Sequence, residues 1–204
     1  MGFLLFPLFF PPPAIAEKLE SFTALQDLIT KKNIQSIDEL LPFLPESIRS
    51  NYAMVFRSFS PQPASKENPR ILLFSADGNF SLAFSTLDPH ALEIVEKDPI
   101  TKQMRPGLIL FKETGIEFIA NPAQYFPKMH PQNCARCHGE NFHFIWEAYP
   151  NWAGVFGQQA HKSNPLEEAA VRHLQSTIDD KSLLRHLPGV QTITLAQLEK
   201  RNAN

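Results

Sequence analysis

Short apolar runs separated by turn residues occupy the stretch from Tyr52 to about Phe118, and they restrict the fold more than any other feature of the sequence. The runs are Ala53-Met54-Val55-Phe56, Arg70 to Ser75, Phe80 to Phe84, Leu92 to Val95, Gly107 to Phe111 and Ile116 to Ile119. Apolar runs of this length, bounded by Gly, Pro, Asn and Asp, read as strands rather than helices. Asp77-Gly78 lies between two of them, and both residues tolerate the positive φ that a tight hairpin demands. An antiparallel sheet of about five strands follows. Before it, from Glu17 to about Ser50, Leu19, Phe22, Leu25, Leu28 and Ile29 recur at helical spacing, and Ser36-Ile37-Asp38-Glu39 offers a capping Ser with Glu at the third helical position. After it, Pro165-Leu166-Glu167-Glu168 opens a further helix with Pro in the first turn and acids favourable to the helix dipole. Helical patterning then continues to Leu187, with another turn or two from Thr194 to Arg201. The fold class is therefore α+β: a sheet with helical N- and C-terminal flanks.

Boundaries follow from the same reading. Residues 17–51 form a helical segment, 52–120 a β-rich segment, 121–162 a loop-rich segment dense in Pro, Gly, aromatics and His, and 163–204 a helical segment. Residues 1–16, MGFLLFPLFFPPPAIA, carry four of the 17 Phe and four of the 18 Pro of the chain and no charged side chain. This run falls short of the roughly 20 helical residues that cross a bilayer, and three consecutive prolines break a helix. Ending in Ala14-Ile15-Ala16, it reads as a secretory signal peptide, although no Lys or Arg precedes it. The expectation is export to the bacterial periplasm, with membrane contact only through the signal segment if it is uncleaved. A balance of 19 Lys+Arg against 21 Asp+Glu supplies no clustered cations for phosphate, so neither DNA nor other nucleic acid is an expected partner.

The two cysteines of the chain fall in one run, Cys134-Ala135-Arg136-Cys137-His138. Cys-x-x-Cys-His is the attachment signature of c-type haem. At i and i+3 of a helical turn both sulfurs project to one side, where each can form a thioether to a haem vinyl group, and His138 then meets the iron as axial ligand. Other chemistries meet obstacles. A thioredoxin-like thiol-disulfide pair opens a helix after a strand in a βαβ unit, and no such alternation precedes Cys134. A structural zinc site needs two further ligands, and no second paired unit exists. A disulfide across so short a loop is strained.

The motif resembles that of c-type cytochromes, and the resemblance makes Cys134 and Cys137 the thioether sites and His138 the iron ligand. Over residues 52 to 160 the chain also resembles an uncharacterised group of exported bacterial haem proteins with a single motif. The shared residues are the strand from Asn68-Pro69-Arg70, then Asn121-Pro122, Cys134 to Gly139, Ile145-Trp146, Tyr149-Pro150, Trp152 and Gly154-Val155-Phe156-Gly157. That group implies no activity to transfer.

The ligand of the second iron face stays open. No Met follows His138, and Met54, Met104 and Met129 all precede the motif. Histidine rather than Met is the expected residue type, with His173, His161 and His186 downstream and His90 and His130 upstream; His143 is only five residues from His138. His173 shares a helical face with Leu166 and Ala170 and heads the list, and a vacant position is the other reading. Phe142, Phe144, Trp146, Tyr149, Trp152 and Phe156 either wall the haem or pack on the sheet. Arg136 and Glu147 read as solvated charges. The functional expectation is a one-electron carrier with a redox partner protein and no catalytic residues. Its alternative is a five-coordinate haem sensor or peroxidase-like enzyme.

Overall fold

A computed structural model of the chain describes residues 19–57, 62–120, 154–157 and 165–202. Six strands, β1 (Tyr52–Val55), β2 (Arg70–Phe74), β3 (Phe80–Phe84), β4 (Ala91–Lys97), β5 (Met104–Lys112) and β6 (Gly115–Ile119), form one sheet in sequence order, each antiparallel to the next. The α+β class stands; the sheet has six strands rather than about five, because every apolar run became a strand.

Short turns account for this order. In the β2–β3 turn Gly78 has φ +67°, the Asp77 carboxylate accepts from the Asn79 N–H, and the Ser75 hydroxyl accepts from the Phe80 N–H. In the β4–β5 turn the buried Asp98 carboxylate accepts from the N–H groups of Ile100 and Thr101. Both of these turns are pinned locally, which favours pairing of the strands they join.

The N-terminal helical pattern resolves into α1 (Phe22–Lys32), α2 (Ile37–Leu40), a 3-10 turn over Leu41–Phe43 and α3 (Glu46–Arg49). Ser21 caps α1 by accepting from the Ala24 N–H, and Asn33 ends it in the left-handed region at φ 53°. Ser36 caps α2 through the Glu39 N–H, as the sequence predicts. Pro42 and Pro45 keep the following turns short. On the C-terminal side, α4 spans Pro165–Ser176, a 3-10 turn spans Leu183–His186 and α5 spans Leu195–Asn202. The expected helical continuity to Leu187 is thus interrupted after Ser176. Asp179 there accepts from the N–H groups of Lys181 and Ser182, a local turn that competes with helix.

All five described helices feed one core. Leu25 and Ile29 of α1, Leu40 of α2, Ile48 of α3, Val171 and Leu174 of α4 and Leu198 of α5 pack with Tyr52, Met54, Leu73, Leu82, Ile94 and Ile109 on one sheet face. Strand alternation sends the intervening residues to the opposite face. There Ala53, Val55, Leu72 and Ala83 cluster with Val155, and Ala91, Leu108 and Leu110 form a second group packed by Ile119.

Candidate functional site

The motif Cys134, Cys137 and His138 lies outside the described residues. So do Met129, His130, Arg136, Phe142, His143, Phe144, Trp146, Glu147, Tyr149, Trp152 and His161, and the signal segment 1–16. The structure does describe both anchor points of the segment that carries the motif. Ile119, at the end of β6, pairs with Leu108, and the chain is followed to Ala120. It is described again at Gly154, where Val155 bridges Val55 on the free side of β1. The Phe56 N–H donates to the Gly154 carbonyl at 2.6 Å, and the Phe156 N–H donates to the Met54 carbonyl at 3.1 Å. Since β1 and β6 are the two ends of the strand order, the motif-bearing segment begins at one sheet edge and ends at the other.

The return anchor is tightly built. A Cβ on Gly154 would sit 1.7 Å from the Arg57 carbonyl oxygen, and one on Gly157, whose φ is +73°, would sit 2.4 Å from the Glu199 nitrogen of α5. Both positions need glycine for close backbone approach. Between them Val155 and Phe156 are fully buried, and the Phe156 ring lies 4.9 Å from that of Phe56. Of the two readings for Phe156, packing on the sheet is the one seen, because its side chain belongs to the sheet–helix core.

The sheet face opposite the helices carries a polar group that sequence reasoning missed. Arg70 of β2 and Glu93 of β4 form an ion pair at 2.5 Å, with side chains 15% and 13% exposed. The buried Gln62 donates to the same carboxylate and accepts from the Thr86 N–H. The signal was an Arg and a Glu, each within an otherwise apolar strand, and only the register shows that they share a face. The pair fixes Gln62 and its loop over the middle strands.

The remaining ligand candidates scatter. His186 is half-buried, and its Nε2 lies 3.0 Å from an Asp38 carboxylate oxygen that Arg185 also holds. His173 stands exposed on α4. Its neighbour on that face, Leu166, is 72% exposed while Val171 and Leu174 are buried, so the face assigned to His173 looks outward. His90 is exposed in the β3–β4 turn. Met54 and Met104 are buried within strands. Among the described residues no three His, Cys, Asp or Glu side chains converge as a metal site, and no helix is long and apolar enough to cross a membrane.

No family model matches the chain, and neither a curated protein nor a solved structure is similar to it. Two thiols three positions apart with an adjacent imidazole are a donor set that fits covalently held haem c, and would hold it through Cys134, Cys137 and His138.

Proposed function

We propose that this chain is an exported c-type cytochrome that holds one covalent haem and transfers single electrons in the periplasm to a redox partner protein. The observation that carries the reading is the Cys134-Ala135-Arg136-Cys137-His138 run, which contains every cysteine of the chain. Cys134 and Cys137 would tether the group by thioethers, and His138 would ligate iron from the near side. When bound, haem supplies an iron that alternates between two oxidation states at little structural cost. The protein holds both ends of the motif-bearing segment on a six-stranded sheet.

The thioredoxin-like alternative loses support, since that chemistry belongs to a βαβ context and the described strands are antiparallel throughout. The five-coordinate alternative, a gas sensor or peroxidase-like enzyme, gains some. His186 is engaged by Asp38, and Met54 lies in the core. Both are thereby poor candidates for a second iron ligand, which leaves His173, His161, His90, His130 and His143 or no ligand.

Expression with a c-haem maturation system tests the reading. The intact mass should rise by one haem, acidic acetone should fail to extract it, and Cys134→Ala with Cys137→Ala should abolish attachment. A chain that matures without any haem increment overturns the proposal. His138→Ala should keep the thioethers and change the iron spectrum. A low-spin spectrum indifferent to carbon monoxide supports the carrier; a high-spin spectrum that shifts with it supports the sensor or enzyme.

A further inference from the structure

The surface built by β6 and the outer side of α1 is complementary to itself. On β5 the Phe111 N–H donates to the His90 carbonyl, on the β4 side. Hydrogen bonding alternates along an antiparallel strand, so β5 reaches β6 through Leu108, Leu110 and Lys112, opposite Ile119, Glu117 and Gly115. The N–H and C=O groups of Ile116 and Phe118 therefore point away from β5, and both side chains turn to the helix face, where they pack partly buried against the core. The edge carries little of what usually blunts one: β6 reads Gly-Ile-Glu-Phe-Ile, without proline, and its single charge is paired with Lys112.

Beside this edge lies an open hollow of about 550 Å³, lined by Gln26, Asp27, Thr30 and Lys31 of α1 and by Phe118. The helix is held there by the Phe22 ring, which stands edge-on to Phe118 at 6.4 Å. Asp27, Thr30 and Lys31 are exposed, and among the described residues no ion pair engages Asp27 or Lys31. A two-fold contact requires that where one residue meets a second, the second also meets the first. Opposite charges one turn apart satisfy this when two such helices run antiparallel, since each Asp27 then meets the partner's Lys31.

We infer that the β6 edge and the α1 rim form a two-fold contact with a second copy of this chain, joining two six-stranded sheets through antiparallel β6 strands. The charges select the register. An axis at Glu117 would set two carboxylates directly opposite each other, which is destabilising. An axis at Phe118 pairs its N–H and C=O with the C=O and N–H of the partner's Phe118, and sets Glu117 opposite the partner's Ile119. That axis passes beside the hollow, whose helical residues are centred between Asp27 and Lys31. Strand and helix contacts thus share one symmetry axis, and the two α1 helices lie antiparallel on the same side of the joined sheet. Only β5, β6 and α1 take part, so the pairing stands apart from the haem reading.

Sedimentation equilibrium of the purified full chain should show monomers in exchange with dimers, half paired at roughly 0.1 mM, as suits a short strand contact. Asp27→Lys and Lys31→Asp should each weaken pairing about tenfold or more, because attraction becomes repulsion on both sides of the axis. The double swap, Asp27→Lys with Lys31→Asp, should restore it. Ile116→Pro removes an outward N–H and spares the ladder to β5, so it should abolish pairing while the far-ultraviolet circular dichroism stays that of the parent. A chain that remains monomeric up to about 1 mM overturns the inference. So does a mass that climbs past the dimer, a single charge variant or Ile116→Pro chain that pairs as well as the parent, or a double swap that stays as weak as the single variants.

Discussion

Asp38 is a residue at which pH acts on the helix layer. It sits on α2 and joins that helix to the 3-10 turn at Leu183–His186, where the Arg185 guanidinium and the His186 ring both reach its carboxylate. Partial burial pushes the carboxyl up, but hydrogen bonds from His186 and Arg185 outweigh it and hold the group below its ordinary value. A depressed folded-state value means the contribution is fully present above the unfolded value of about 4 and is lost as pH falls through the folded one. With Asp38 about half exposed, the pair ranks with surface ion pairs, worth roughly 0.5–1 kcal/mol. Asp38→Asn should therefore lower unfolding free energy by about that amount at pH 6, measured by urea titration. The gap from the parent protein should shrink below pH 4; a gap that widens there contradicts the assignment. None of this was legible in the sequence, because Asp38 and Arg185 are 147 positions apart and neither has a local pattern that announces a partner.

At the scale of elements, the strands were readable because each apolar run is ended by a turn with its own chemistry, as Asp77 and Gly78 show. Helix lengths were less readable. The apolar spacing after Ser176 resembles helix, but Asp179 turns the chain back on its own N–H groups. The Cys134 to His138 run was legible as a motif, since it is defined by residue type and spacing, and it lies outside the described residues. The Gly154 to Gly157 anchor closes the motif-bearing segment onto β1 and α5. Gly154→Ala places a methyl against the Arg57 carbonyl, where backbone and not a flexible side chain must yield. Overpacking of this kind costs about 1–3 kcal/mol. The variant should lose that much stability in urea unfolding, and Gly107→Ala, where the added methyl meets only the Phe22 ring rather than backbone, should lose less. Equal losses would mean that the close approach at Gly154 does not hold the element.

For the whole molecule, the distribution of the core decides what happens when the cysteines are removed. The larger apolar cluster joins α1 to α5 with one sheet face, and its described buried members lie within residues 25–111 and 156–198. Strands β1 to β6 pair with their sequence neighbours, and the β2–β3 and β4–β5 turns are pinned by their own side chains. Both sets of interactions are already extensive among the described residues. A small domain that depends on a metal for its core unfolds without it; this one assembles a large apolar cluster from residues 25–111 and 156–198. The Cys134→Ala, Cys137→Ala chain should thus keep the far-ultraviolet circular dichroism of the parent and unfold in a single cooperative transition. Its midpoint should be lowered only by what the attached group adds as a ligand of the folded state. Loss of cooperative unfolding in that variant would show that the cofactor nucleates the sheet, and the haem would then be structural before it is redox-active.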